Sequence, residues 1–120
     1  MNKKRTYLEY IEDIRDAMAK IAEFIAGMNY QQFVRDSKTV FAVVRALEIV
    51  GEATKMIPED IRQKYPMIPW RDMARMRDKL IHHYFGVHLK VVWKTITEDL
   101  PELTPLIDKV WNDLKKEESE

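Results

Sequence analysis

Apolar side chains recur at helical spacing along almost the whole chain, and only three glycines interrupt them. Such spacing places the apolar side chains on one face of an α-helix. No segment alternates with the period of two that a half-buried strand requires. The pattern therefore predicts an all-α protein. Its clearest stripe advances by steps of three and four positions through Tyr7, Ile11, Ile14, Met18, Ile21, Ile25 and Met28.

The first helix is predicted to end at Gly27 and Asn29, after which a short connection covers residues 30–34. Asp36 or Ser37 then offers the N-cap of a second helix, because both residue types accept hydrogen bonds from the free N–H groups of a first turn. We expect this second helix to direct seven apolar side chains into a core: Val40, Phe41, Val43, Val44, Leu47, Val50 and Ala53.

Prolines set the remaining boundaries, because proline fits the first turn of a helix better than its interior. The sequence thus predicts an antiparallel bundle of four to five helices. We expect a single domain over residues 1–114 and a charged, flexible tail over residues 115–120. The helices predicted after the second are a short one over residues 58–65, a third main helix from Pro69 to His83 or Tyr84, a fourth over residues 88–99, and a last from Pro101 to about Leu114.

The composition excludes several classes of protein. There is no cysteine, which rules out a disulfide framework, thiolate metal ligands and a cysteine nucleophile. The longest run without Asp, Glu, Lys or Arg is the 11 residues from Phe24 to Val34, whereas a spanning helix needs about 20. The basic start of the chain is not followed by the apolar core of a signal peptide. We therefore expect a cytoplasmic protein with no membrane partner.

The net charge of zero conceals an uneven distribution. Twenty basic and 20 acidic side chains argue against a surface coated uniformly in positive charge. Residues 61–90, however, hold seven basic and two acidic side chains, a balance of +5, and all three histidines. Phosphate affinity depends on such local clusters rather than on the sum over the chain. A solvated helix face is the alternative explanation of this basic window.

The basic window contains residue types suited to phosphodiester chemistry. Arg77 can hold a phosphate through two N–H groups, and His82 or His83 can transfer protons near neutral pH. Tyr84 adds a hydroxyl group and an aromatic face on which a base can stack. Asp78 stands four positions before His82, so its carboxylate can orient that imidazole on a helix.

The spacing of Arg77 and His82 constrains how they can act together. Five positions on a regular helix separate two side chains by about 140°, so Arg77 and His82 cannot easily share one phosphate. Either the helix ends or distorts near His82, or a second chain completes the site. We favour a symmetric homodimer in which two copies of this helix approach each other.

Ordinary structural roles compete with this interpretation. Arg77 can simply pair with an acidic neighbour, and Glu48 and Glu52 on the second helix can pair with the basic helix across the bundle. A metal site is not expected, because adjacent histidines point to different faces of a helix and no HExxH pattern is present. The three glycines stand too far apart to form a phosphate-binding loop.

The motif and its flanks resemble the HepT-like toxin ribonucleases of the HEPN superfamily. Arg77-x-x-x-x-His82-x-Tyr84 is similar to the R-x4-H-x-Y motif of that family, and Asp78 supplies the polar residue favoured after the arginine. The resemblance extends from about Tyr7 to Leu114. Similar flanking segments follow in order: Glu48-Ile49-Val50-Gly51-Glu52-Ala53, Ile57-Pro58-Glu59, Tyr65-Pro66, Ile68-Pro69-Trp70-Arg71, Tyr84-Phe85-Gly86-Val87, Val92-Trp93 and Asp99-Leu100-Pro101.

This resemblance implies a HEPN-like bundle that dimerises through its motif helices and cleaves RNA without a metal ion or other cofactor. It implies that Arg77 holds the scissile phosphate and that His82 acts in proton transfer. Such chemistry commonly uses the ribose 2′-hydroxyl as nucleophile and leaves a cyclic phosphate. Family members are the toxins of type VII toxin–antitoxin modules. Their partner, a MntA-like nucleotidyltransferase antitoxin, silences them by attaching AMP to the motif tyrosine, which is Tyr84 here.

One position departs from the family pattern. Many relatives have glycine or another small residue where this chain has His83, whose imidazole offers a second proton carrier. The acid–base role therefore remains open between His82 and His83, with His83 at least a supporting residue. A second hypothesis for the whole chain is a non-catalytic helical accessory subunit of a minimal nucleotidyltransferase. Such a subunit would bind a nucleotide through Arg77 and Tyr84 without proton transfer at His82.

Overall fold

The computed structural model describes residues 6–78 and 88–119, and every regular element in these two ranges is helical. The predicted all-α class is thereby confirmed. A π-helical turn, Thr95–Asp99, joins the helix Leu89–Lys94 to the helix Leu100–Ser119. The elements are α1 (Tyr7–Ile25), α2 (Tyr30–Arg35), α3 (Ser37–Lys55), α4 (Glu59–Lys64), α5 (Trp70–Ala74), α6 (Leu89–Lys94) and α7 (Leu100–Ser119).

A single core lies between α1, α3 and α7, with α2 and α5 packed against its sides. The largest helix contact joins α1 to α3, and α7 packs along α1. Burial of apolar side chains contributes about 1.5–3 kcal/mol each, so this shared core dominates the stability of the fold. Side chains that are almost completely buried include Ile11, Ile14, Ile21, Phe33, Val43, Leu47, Val50, Ile107 and Val110.

Two residues of the predicted apolar stripes, Phe41 and Tyr7, are exposed. Phe41 is 63% exposed, although the other six apolar residues predicted for its helix are buried. It stands about 100° from Val40 around the helix axis, at the edge of the buried face. Tyr7 is 48% exposed because it is the first residue of α1, where a side chain points back beyond the helix end.

The boundaries between α1, α2 and α3 follow local capping chemistry. Gly27 takes a φ of +77°, a left-handed conformation that suits glycine, and ends the turn after α1. Asn29 then forms a capping box with Gln32 and begins α2, so the prediction of a plain connection over residues 30–34 is wrong. Asp36 is confirmed as the N-cap of α3, where its carboxylate accepts from the Thr39 backbone N–H. This hydrogen bond lowers the pKa of Asp36.

The predicted third main helix is interrupted. Trp70 begins α5 directly after Pro69, and its indole Nε1 donates to the Tyr65 carbonyl oxygen at 3.0 Å. The helix then ends at Ala74, Arg75 forms a turn, and residues 76–78 are helical again. This break brings the backbone of Arg77 against Gly51 of α3. Apolar periodicity describes one segment at a time and does not predict a contact between two helices.

The predicted fourth and last helices form one continuous helical segment instead of two separate helices. The Leu100 N–H reaches back five residues to the Thr95 carbonyl oxygen, which widens the turn between α6 and α7. Pro101 follows this turn and lacks the N–H that would bond the Thr97 carbonyl in a regular α-helix. Helix α7 also continues to Ser119, five residues beyond the predicted end near Leu114. The single domain and the flexibility of the tail stay predictions.

Candidate active site

The close approach of Gly51 to Arg77 positions the one motif arginine. A Cβ atom built on Gly51 would lie 2.9 Å from the Arg77 backbone nitrogen and 3.2 Å from the Arg77 Cβ. The Met73 carbonyl oxygen would be 3.5 Å away. Only a residue without a side chain permits this spacing, because the nearest atom belongs to the backbone and cannot rotate away. Gly51 therefore sets how near the Arg77 segment lies to α3.

Glu52, the next residue of α3, faces the side chain of Arg77. Its Oε1 atom lies 3.3 Å from the Arg77 Nε atom, and both side chains are a little under half exposed. The Nε atom itself is buried and makes no hydrogen bond to the described residues, so the exposed area of the side chain belongs to its other atoms. A buried donor left in this way costs about 1–3 kcal/mol. The nearby carboxylate offsets part of that cost.

Asp78 is held by the same helix. Its Oδ1 atom lies 3.5 Å from Nζ of Lys55, one turn after Glu52 on α3. The alternative in which Arg77 pairs with an acidic neighbour is thus partly correct, since Glu52 is that neighbour. Glu48 instead contacts Arg45 of its own helix, at 3.9 Å.

The remaining motif residues, His82, His83 and Tyr84, lie outside the described residues. The structure therefore brings together Arg77 and Asp78 with Glu52 and Lys55, and the arrangement of the two histidines and the tyrosine stays a prediction. So does the orientation of His82 by Asp78, whose described partner is Lys55. The third histidine, His88, is half-buried at the start of α6.

A cleft of about 720 Å³ opens beside the Arg77 segment, between α5, α6, the π-helical turn and α7. Met73 and Met76 line it, together with apolar side chains of α3, α6 and α7. Three exposed carboxylates, of Asp72, Asp99 and Glu102, also line it, together with Lys94 and His88. Because the carboxylates outnumber the one lysine and negative charge repels phosphate, we do not expect the backbone of RNA to occupy this cleft.

Within residues 6–78 and 88–119, no three or more histidine or carboxylate side chains are grouped so as to hold a metal ion. Across the same ranges, no helix has the length and the apolar character needed to cross a bilayer.

The described residues form an all-α bundle with a half-exposed arginine at the start of an R-x4-H-x-Y motif, the fold and motif expected of a HepT-like ribonuclease. A family model described as "Ribonuclease HepT-like" matches residues 14–110. The chain belongs to the HepT-like ribonuclease family, and the predicted resemblance is confirmed. Ribonuclease activity, with RNA as substrate, is the function that this membership supports.

Curated relatives agree with the family. A protein of Thermococcus cleftensis named "Probable ribonuclease HepT" is 53% identical over 107 residues, which cover 89% of this chain and 97% of the relative. Two proteins of Methanocaldococcus jannaschii described as candidate RNases are also similar. One is 40% identical over 115 residues, covering 96% of this chain and 95% of its own. The other is 43% identical over 113 residues, covering 94% and 97%. No solved structure matches the chain.

The sequence predicts that Glu52 can pair with the basic helix across the bundle, and the structure shows that pair with Arg77. The contacts of Gly51 and Lys55 with the motif segment were not predicted. The available signal was the pairing of a glycine with an acidic residue in the middle of an otherwise regular helix. Isolated glycine inside a helix costs stability and often has a packing reason. Here that reason is the backbone of Arg77.

Proposed function

We propose that the protein is the toxin of a type VII toxin–antitoxin module and cleaves RNA internally without a metal ion. The observation that carries this proposal is the placement of Arg77. Its backbone is set against Gly51, its Nε faces Glu52, and the rest of its side chain is accessible from solvent. A guanidinium held in this manner suits a phosphate group approaching from solution.

The proposed reaction uses Arg77 and a motif histidine in different roles. Arg77 holds the scissile phosphate and stabilises the charge that develops on it. His82 takes or gives the proton as the ribose 2′-hydroxyl attacks phosphorus and the bond from phosphorus to the 5′-oxygen breaks. The products are a 2′,3′-cyclic phosphate and a 5′-hydroxyl end. His83 supports this transfer as a second imidazole, and Asp78 orients His82.

A homodimer reconciles the positions of these residues. Arg77 and His82 differ by about 140° around a regular helix, so two copies of the motif helix facing each other can supply them to one phosphate. A two-fold axis would then create two equivalent sites. Such a dimer places the two basic windows together, which raises the local positive potential for RNA.

Product ends test the metal-independent mechanism. We expect the purified protein to cleave end-labelled RNA in excess EDTA and to leave 2′,3′-cyclic phosphate ends, identified by mass spectrometry. RNA methylated at its 2′-oxygens should resist cleavage because the nucleophile is blocked. The Arg77→Ala variant, purified identically, controls for contaminating ribonucleases. Products with 5′-phosphate ends, or complete loss of cleavage in EDTA, would contradict the mechanism. Binding without cleavage would instead favour the nucleotide-binding accessory subunit.

We also propose that AMPylation of Tyr84 by a MntA-like nucleotidyltransferase silences the toxin. The tyrosine oxygen attacks the α-phosphorus of ATP, its proton passes to a base, and pyrophosphate leaves as the new bond to AMP forms. The added phosphate carries negative charge seven positions from Arg77 along the motif. It would occupy the anion site by charge and bulk, and so exclude RNA.

Intact mass after incubation with the nucleotidyltransferase, ATP and Mg²⁺ tests this modification. We expect increments of whole AMP units on the unaltered protein, none on Tyr84→Phe, and loss of RNA cleavage in step with the modified fraction. Tyr65→Phe is the matched control. Burial and a hydrogen bond to Asp113 raise the pKa of the Tyr65 phenol, so that tyrosine is a poor nucleophile. Increments that persist on Tyr84→Phe would refute Tyr84 as acceptor.

A further inference from the structure

Because Arg77 contacts α3, the two edges of its guanidinium, the Nε edge and the terminal edge, have different surroundings. The Nε edge faces the Glu52 carboxylate, at 3.3 Å from Nε to Oε1, and is buried. A guanidinium has one donor at Nε and four at its two terminal nitrogens. A carboxylate on the Nε edge therefore leaves the terminal fork available, whereas a carboxylate on that fork would compete with phosphate for it.

We propose that Glu52 is a positioning residue for RNA cleavage, which holds the Nε edge of Arg77 so that the terminal nitrogens meet the scissile phosphate. This inference rests on the proposed role of Arg77 as the phosphate-binding residue. Glu52 does not touch RNA and transfers no proton. It acts by restricting the rotation of a long side chain whose rotamer freedom is otherwise large.

Helix α3 is suited to this task because it is anchored on both sides of Glu52. Gly51 and Ala53 are buried in the core face of the helix, so the backbone that carries Glu52 is fixed. One turn later, Lys55 contacts Asp78, the residue after Arg77. Two consecutive motif residues are thus paired with two residues one turn apart on α3. The two contacts together favour one direction for the helical turn at residues 76–78, each contributing only a little on its own because the side chains are about half exposed.

The charge of Glu52 predicts an effect that a purely structural residue would not have. With the carboxylate present, part of the positive potential of Arg77 is cancelled before RNA binds. Removing it frees the guanidinium to rotate, which lowers kcat, and at the same time strengthens the attraction of the site for RNA, which lowers KM. A variant that merely reduced the folded fraction would lower the apparent kcat and leave KM unchanged.

Steady-state kinetics with Glu52→Ala test the proposal. We expect kcat to fall about fivefold while KM falls about twofold, since misplacement of the binding group by a fraction of an ångström is costly. Glu52→Gln retains an oxygen acceptor near Nε and should keep most of kcat. Glu48→Ala is the matched control: it removes a carboxylate one turn earlier on α3, whose contact is with Arg45 at 3.9 Å. Its kcat and KM should equal those of the unaltered protein.

Arg77→Lys separates this inference from the function on which it depends. Lysine keeps the charge but has no Nε, so adding Glu52→Ala to Arg77→Lys should change kcat by less than about twofold if the two residues act as a unit. If Arg77→Ala, which removes the charge, is as active as the unaltered protein, the proposed role of Arg77 fails. If Arg77→Lys is impaired but Glu52→Ala behaves like Glu48→Ala, Arg77 keeps its role and the positioning role of Glu52 is overturned.

Discussion

Replacing His82 by alanine is expected to lower kcat for RNA cleavage by about 10²–10⁴, the range that general acid–base catalysis contributes. The reason is that neither Arg77 nor any other proposed group in the motif can move a proton near neutral pH, apart from His83. KM should change little, because the phosphate is held by Arg77 rather than by His82. Initial rates on labelled RNA in EDTA, with the far-ultraviolet circular dichroism of each variant, check this result.

His83→Ala is the matched comparison for this experiment. It removes the same side chain one position away, so the difference between the two variants assigns the proton transfer. We expect His83→Ala to lower kcat by about tenfold or less, consistent with a supporting role. The reverse order would transfer the catalytic role to His83. Full cleavage by the His82→Ala protein, free of contaminating ribonuclease, would contradict catalysis by His82.

Local chemistry explains why much of the fold is predictable from the sequence. The apolar stripe of α1 and the cap at Asp36 depend on residues a few positions apart, and periodicity and capping rules record such relationships directly. The boundary errors arise where one residue satisfies two rules. Asn29 suits the end of a helix, where the sequence places it, but in the structure it begins α2 through its capping box with Gln32. The predicted connection over residues 30–34 did not take this N-cap into account.

Contacts between distant segments explain what the sequence could not predict. The approach of Arg77 to Gly51 brings together two positions 26 apart in the chain, and helical periodicity does not relate positions on different helices. The break after α5, at Arg75, precedes this contact. Pro101 has no backbone N–H, and a chain can accommodate this either by starting a new helix or by widening the preceding turn. The structure shows the widened, π-helical turn, and the sequence does not distinguish the two. The identity of Arg77 came from the motif, but its environment is a property of the packed bundle.

Replacing Gly51 by alanine is expected to reduce both stability and activity, and the activity should fall further than the stability explains. Alanine normally stabilises a helix interior by about 0.5–1 kcal/mol relative to glycine. Here its Cβ would meet the Arg77 backbone nitrogen at 2.9 Å, and overpacking of this kind costs about 1–3 kcal/mol. We therefore expect a net loss of about 1 kcal/mol, measured by chemical denaturation.

The activity should fall because the strain is relieved by moving the catalytic arginine. Restoring an ordinary contact requires the Arg77 segment to shift away from α3 by several tenths of an ångström, which also lengthens its contact with Glu52. We expect kcat to fall about tenfold for Gly51→Ala and about 100-fold for the bulkier Gly51→Val, since a displacement of 1 Å at a binding group can cost that much.

Gly27→Ala provides the control that separates displacement from destabilisation. No atom lies within 4 Å of a Cβ built there, but its φ of +77° strains any other residue, at a cost of about 1–2 kcal/mol. Gly27 follows α1, far along the chain from Arg77 and outside its contacts. The two variants should therefore lose similar stability, while only Gly51→Ala loses kcat under conditions where both are folded. Equal kcat values would mean that the distance between α3 and Arg77 does not govern cleavage.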